Sequence, residues 1–411
     1  MAYINRRTVV KLSAAAALSK LLPSRQTASA ADAIAVGTSA TQRMLRHPGL
    51  LHTEADFKRM RERVAAGAEP WKSGWERLTA SRHTSLKWKP RPAGKIVRGR
   101  GPEHENYHLL YTDIATAYAC ALRWRVSGDK AYADKAVEVM NAWSSTLKEV
   151  TGSSDRFLAS GIYGYEFANA AEIMRDYAGW DRADFKRFGE MMLTIFGAMN
   201  QDFLTHHYGN KIDHYWCNWD ACNMASLLAI GVLCDRLDLY EQAVDYFKHG
   251  KGNGAIAQAV VTIYPDGLGQ WQESGRDQGH ATLGIALIGA VCEMAWNQGD
   301  DLYGYDNNRF LSGAEYVAKY NLQYEVPYTP YKNSLASQPV ISPAGRGNVR
   351  PCWEMIFNHY VNRRGLSAPY CKQWVAKIRP EGGGGDYGTN SGGYDQLGYG
   401  TLTFAAGPLT K

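Results

Sequence analysis

Membrane-length apolar runs are missing from this chain. Past the N-terminus no stretch approaches the ~20 consecutive apolar residues that cross a bilayer, which argues against an integral membrane protein. No CxxC pair occurs, and the seven cysteines (120, 217, 222, 234, 292, 352 and 371) are odd in number and scattered through apolar segments. That excludes a disulfide framework and predicts buried thiols, with one bridge at most. Cys217 and Cys222 lack paired histidines, so their spacing is poor zinc-site spacing. Strand-like alternation is scarce, and no period of ~34 or ~40 residues recurs, which counts against tetratricopeptide-type arrays. Strong net charge is missing as well. The formal charge is +6, but residues 1–30 hold Arg6, Arg7, Lys11, Lys20 and Arg25 and no acid, which leaves +1 for the rest. A nearly neutral body removes the main support for general nucleic-acid binding.

What is present begins with an export signal. "NRRTVVKL" carries twin arginines into an Ala-rich apolar stretch, and "ASA" (28–30) supplies the small residues a signal peptidase accepts. Residues 1–30 therefore read as a twin-arginine-type signal peptide, which predicts a periplasmic or secreted bacterial protein with no membrane association after cleavage. Residues 31–44 read as a linker, 45–379 as the folded domain, and 380–411 as a Gly-rich tail packing on it. From about residue 106, apolar residues recur at helical spacing in 107–129, 130–147, 163–177, 182–204, 218–236, 239–250, 254–264, 274–297, 307–322, 350–365 and 368–378. Short Gly- and Asp-containing turns join them. The pattern predicts an all-α fold of antiparallel helix pairs, closed into an α/α ring rather than an open solenoid. Three stretches interrupt it: the basic 87–105, the Tyr/Pro/Gly-rich 323–349, and the tail. Loops this long in a compact domain are functional or disordered. Twelve Trp and 25 Tyr lean toward carbohydrate, since aromatic rings stack on sugars.

Four places carry candidate chemistry. Lys87, Lys89, Arg91, Lys95, Arg98 and Arg100, with Trp88, make a local positive field suited to a polyanion or simply to solvent. "DHYWCNWDACNMAS" (213–226) gathers His214, Tyr215, Asn218 and Trp219 at a helix start. An Asn there can donate its amide to a carboxylate, although Asp213 or Asn218 could merely cap the helix. "GQWQESGRDQGHATL" (269–283) spaces Glu273, Arg276 and His280 so that a helix would stack all three on one face. An Arg at a helix N-terminus opposes the macrodipole, so it needs a partner: Glu273, Asp277 or an anionic ligand. His titrates near neutrality and serves as acid or base, and the plain alternative is a Glu–Arg pair beside a capping His. Finally, "SPAGRGNVRPCWEMIFNHY" places Arg346 and Arg350 on a loop feeding a helix with Tyr360, a phenolic proton carrier or a partly buried aromatic. The expected catalytic set is Asn218, Arg276, His280 and Tyr360. The expected substrate contacts are His214, Tyr215, Trp219, Glu273, Arg346, Arg350, Tyr107 and His108.

Such a set suits β-elimination on a 4-O-linked uronate. The C5 proton is weakly acidic, and neutralising the adjacent carboxylate by Asn, His or Arg makes the enolate-like intermediate accessible. A Tyr or His then abstracts the proton, and the leaving O4 is protonated. No metal and no cofactor is called for. The stretch 269–322, with "NWDACNMASLLAIGVLCD" before it, resembles the alginate-lyase superfamily of α/α-toroid polysaccharide lyases, most closely the branch called polysaccharide lyase family 38. "GDKAYADKAVEVMNAW" and "YEFANAAEIMRDY" extend the similarity over roughly 45–375. The resemblance implies an incomplete or closed toroid crossed by a cleft, acting on alginate-like or glucuronan-like chains. It also implies an Asn–His pair at the neutraliser helix, where this chain has Asn218 followed by Trp219. The family's later catalytic Tyr falls near His280, so the base is His280 or a Tyr such as Tyr215 or Tyr360. Two other classes compete: an α/α-ring glycoside hydrolase using Glu273 and Asp220, and a non-enzymatic scaffold that grips acidic polymers.

Overall fold

A computed structural model describes residues 43–388 and 394–409. Residues 1–42, which hold the expected signal peptide (1–30) and all but the last two residues of the expected linker (31–44), lie outside the described residues. Two short helices open the fold, α1 (Glu54–Ala65) and α2 (Trp71–Thr79). Next come α3 (His108–Ser127), α4 (Lys130–Thr146), α5 (Arg156–Met174), α6 (Arg182–Met191), α7 (Ala198–His206), α8 (Cys217–Leu233) and α9 (Leu237–His249). After the single turn α10 (Ile256–Ala259) come α11 (Gln278–Gln298), α12 (Tyr305–Asn321), α13 (Trp353–Phe357), α14 (Pro369–Ile378) and α15 (Gly400–Thr403). Their starts follow local chemistry. Asp129, Asp181 and Asp277 cap α4, α6 and α11 with their side chains, and Gly128 and Gly299 end α3 and α11 in the left-handed conformation.

Burial sorts the helices into two rings. Every residue of α8 is buried, as is nearly every residue of α5 and α11, whereas α6 and α9 bury only one face. The buried helices pack in the order α3–α5–α8–α11–α13, and α4, α6, α7, α9, α12 and α14 lie outside them. The tail helix α15 touches α13, α1 and α2, and α1 touches α3, so packing continues round the ring. This is an α/α toroid. Gly161 and Gly164 let α5 lie directly against α8, because a Cβ at either would collide with Cys222 or Ser226. Gly164→Leu is therefore expected to lower the urea midpoint by the equivalent of about 1–3 kcal/mol, the usual cost of overpacking. An unchanged midpoint would show that the two helices can separate freely.

The structure departs from expectation in instructive ways. The segment 254–264 is a single helical turn followed by a strand, because its β-branched run Val260–Ile263 pairs with Gly269–Trp271. The basic loop also contributes a strand, Lys95–Arg98, parallel to Glu149–Gly152. A third two-stranded piece, Tyr331–Lys332 with Ser337–Gln338, orders part of the 323–349 loop. Helix α11 is, by length and composition, apolar enough to cross a membrane, contrary to the expectation that no such run exists. Its most apolar window is 83% buried, as an inner-ring helix wrapped by neighbours must be. All seven cysteines are free thiols, and only Cys234 is not fully buried.

Candidate active site

Glu273 and Arg276 lie before α11 and not on it. After the strand Gly269–Trp271 the chain turns, with the Arg276 N–H donating to the Glu273 carbonyl at 2.8 Å, and the helix starts only at Gln278. The expectation that Glu273, Arg276 and His280 stack on one helical face is thus corrected. A tight turn brings them together instead.

They form a continuous chain of contacts with Asn218. The Glu273 side chain has no exposure, and its Oε1 accepts from Asn218 Nδ2 at 2.6 Å and from Arg276 Nη1 at 2.8 Å. Its Oε2 accepts from the Asn218 backbone N–H at 3.1 Å. Burial pushes the Glu273 carboxyl above its ordinary value, and Arg276, His280 and the Asn218 N–H oppose that push. Asn218 Oδ1 is buried without a hydrogen-bond partner. Arg276 Nη2 lies 3.1 Å from His280 Nε2, and His280 Nδ1 lies 2.6 Å from Asp277 Oδ2. The Arg276 guanidinium also sits 5.1 Å from the centre of the Trp216 ring, within cation–π range. Exposure rises along the chain, from 0% at the Glu273 side chain to 24% at Arg276 and 40% at His280. The arginine that the macrodipole disfavours is held by two carboxylates, since Asp277 Oδ2 also lies 3.7 Å from its Nε.

Two aromatic groups flank this chain. Phe157, Phe203, Tyr215, Trp216 and Trp219 form their own apolar cluster. Trp219 packs 4.5 Å from Tyr215, and His214 meets Tyr215 edge-on at 4.9 Å. Tyr215 OH accepts from Asn210 Nδ2 at 3.2 Å, and burial pushes its phenol up. The second group surrounds Arg98, which is 8% exposed with its guanidinium 4.9 Å from the Tyr107 ring and 5.6 Å from the Tyr163 ring. Tyr111 stacks on Tyr394 of the tail at 4.3 Å. Asp395, also of the tail, accepts from Arg350 Nη1 at 3.2 Å. Burial pushes the Asp395 carboxyl up, with Arg350, Arg98 and His280 acting against that push, so this acid sits in the field of both groups.

The predicted residues therefore divide. Asn218, Glu273, Arg276 and His280 are joined in that order by hydrogen-bond contacts, with His214, Tyr215 and Trp219 in the adjoining aromatic wall. Arg350 is buried and clamps the first turn of α11 through Gly279 O at 3.1 Å and Thr282 Oγ1 at 3.2 Å. Tyr107 joins Arg98, while His108 is exposed on the first turn of α3. Arg346 is not brought to the cluster: it holds the end of α12 through the Tyr320 and Tyr324 carbonyls, both at 2.8 Å. Tyr360 is not brought there either. Fully buried, it donates to the Tyr303 carbonyl at 2.9 Å, and burial pushes its phenol well up, so it packs the core under α13.

Sequence reasoning missed Tyr163 and Asp395, and it left Asp277, Trp216 and Arg98 out of the catalytic and substrate-contact sets, with Asp277 only a partner for Arg276 and Arg98 only part of the basic loop. For Asp277 a signal existed, since Asp-x-x-His at a helix start is N-cap spacing. Among the described residues no cluster of His, Cys, Asp and Glu has metal-holding geometry.

The Asp277 carboxyl carries a pH signature. Burial raises its pKa, but the hydrogen bond and charge of His280, with Arg276, outweigh burial and hold it below the ordinary value. The resulting stability is present above the unfolded-state value near ~4 and is lost as pH falls through the folded-state value. In urea titrations the gap between wild type and Asp277→Asn is expected to close as pH drops below about 4. A gap that widens in acid would contradict the pairing.

Residues 69–326 match a family model described as alginate lyase. A comparison with curated proteins finds no match. Alginate lyase A1-III from Sphingomonas species A1 superposes with a TM-score of 0.51 at 17% identity, covering 80% of this chain and 92% of that one. The apo form of a histidine-to-alanine variant of the same enzyme gives 0.55 at 16% identity, covering 89% and 97%. At such identities the likeness concerns the fold, and it agrees with the toroid read from helix packing.

Proposed function

Since the chain belongs to the alginate lyase family, we propose that it is a polysaccharide lyase cleaving 4-O-linked uronic acid chains, alginate-like or glucuronan-like, by β-elimination. One observation carries the reading: Asn218, Arg276 and His280 lie in one chain of contacts between the start of α8 and the turn into α11, with buried Glu273 joining Asn218 to Arg276 and Arg276 reaching His280. Asn218 and Arg276 donate to the uronate carboxylate and stabilise the charge that develops on it. His280 is the proton carrier. Its Nε2 takes the C5 proton, the C5–H electrons form the C4=C5 double bond, and the C4–O4 bond breaks. The departing oxygen takes up the proton that His280 has gained, which restores the neutral imidazole and gives a new reducing end. Tyr215 serves less well as base, since its phenol is pushed up and a base needs the opposite.

The hydrolase reading has weaker support. Both of its carboxylates are committed inside the protein: Glu273 to Asn218 and Arg276, and Asp220 to His207 Nε2 at 2.9 Å and the Gly254 N–H at 2.8 Å. Within the family we place the chain nearest polysaccharide lyase family 38, on the 269–322 stretch. Export through the twin-arginine leader would put the enzyme where anionic polysaccharides lie. The test is incubation with alginate, glucuronan and hyaluronan while ultraviolet absorbance of the unsaturated uronate is followed. Absorbance growing on at least one polymer is expected. Binding without any absorbance would leave the scaffold reading in its place.

A further inference from the structure

The contacts of His280 point to a second acid in the machinery. We infer that Asp277 is a positioning residue that fixes the tautomer and orientation of His280, so that Nε2 is the atom that takes the proton. This rests on the lyase reading above and adds a residue to it.

Both oxygens of Asp277 go to the same residue. Oδ1 accepts the His280 backbone N–H at 2.8 Å, which is the N-cap bond of α11, and Oδ2 meets His280 Nδ1 at 2.6 Å. A carboxylate only accepts, so Nδ1 carries the hydrogen. Arg276 only donates, so the Nε2 facing its Nη2 at 3.1 Å holds the lone pair. The two contacts together select one neutral tautomer, with Nδ1–H held and Nε2 basic. The imidazole is thus fixed through main chain and side chain by one acid, the orienting arrangement that general-base histidines use. The other charged groups facing the ring are Glu273, on the turn before α11, and Asp395, from the tail.

The same geometry makes the base substrate-gated. In the free protein Arg276 caps the Nε2 lone pair. A uronate carboxylate is a stronger acceptor for a guanidinium than an imidazole nitrogen, so the bound substrate takes that N–H. Nε2 is then left open to the C5 hydrogen beside the carboxylate. The residue that neutralises the substrate is the one that uncovers the base.

Asp277→Asn separates positioning from capping, because Asn caps a helix as well as Asp does while losing the anionic partner of Nδ1. The expected result is a kcat lowered at least ~100-fold on the most active uronate polymer, with KM within about twofold and only the modest loss of stability at neutral pH that removal of the carboxylate charge entails. Asp277→Ala should lower kcat similarly and also lower the melting temperature. A purely structural Asp277 predicts wild-type kcat for Asp277→Asn, and that outcome overturns the inference while leaving the lyase reading intact. Nitrogen-15 spectra of the His280 ring give an activity-independent readout. Nδ1–H with bare Nε2 is expected in the wild type, and the opposite tautomer would overturn the assignment. A wild type that yields no unsaturated product from any uronate polymer overturns the lyase reading itself, whatever the ring spectra show.

Discussion

Arg276→Ala is expected to cut turnover of a uronate polymer by about 1,000-fold while the protein stays folded, as loss of a charged donor to a developing oxyanion does. The guanidinium is the partly exposed cation of the cluster, sitting over Trp216 and beside His280. Its removal leaves Glu273 buried, yet the fold has a way to tolerate this. Burial already pushes the Glu273 carboxyl up, and without Arg276 it can bind a proton and remain neutral between the two Asn218 donors. The loss should therefore appear in kcat, with a small shift in melting temperature. Arg276→Lys should recover little, because one ammonium cannot reach Glu273, His280 and a substrate carboxylate in the geometry of a planar fork. Near-normal turnover by Arg276→Ala would remove the neutraliser from the account.

Glu273→Ala should have the largest effect on stability. Its carboxylate is the common acceptor for the Asn218 backbone N–H, the Asn218 amide and Arg276, and it joins the start of α8 to the turn before α11. Truncation leaves the arginine and two buried N–H groups without their acceptor, a class of change that costs about 3–5 kcal/mol. A urea midpoint measures it directly. Activity should also fall, since Asn218 loses the bond that aims its amide. Glu273→Gln should lie between, with one oxygen kept and one donor facing donors. A midpoint for Glu273→Ala equal to wild type would mean that these helices are tied elsewhere.

The outer helices were legible because a single apolar stripe leaves a 3.6-residue rhythm, and the inner-ring helices because long apolar runs bounded by Gly and Asp are too long for strands. Val260–Ile263 was misread because a four-residue β-branched run is too short to show its period. The contiguity of Glu273, Arg276 and His280 was legible, although the reason given, a shared helical face, was wrong. Spacing says only that residues are near in sequence, and a turn gathers them as well as a helix does. Asn218 was legible as a donor at a helix start. Tyr360 was misplaced because nothing in an amphipathic pattern says whether a phenol points at substrate or at a neighbouring carbonyl. Arg98 with Tyr163, and Arg350 with Asp395, could not be read at all. Each pair joins residues far apart in the chain, and only the closure of the ring and the return of the Gly-rich tail bring them together.

A site built this way is expected to eliminate and not to hydrolyse. Mass spectrometry of the products from a defined uronate oligosaccharide tests it most directly, since hydrolysis adds one water per cleavage and elimination adds none. Elimination predicts fragments whose masses sum to that of the substrate, with the new non-reducing uronate short of a full residue by one water. Fragments that together gain one water for each bond broken would contradict it.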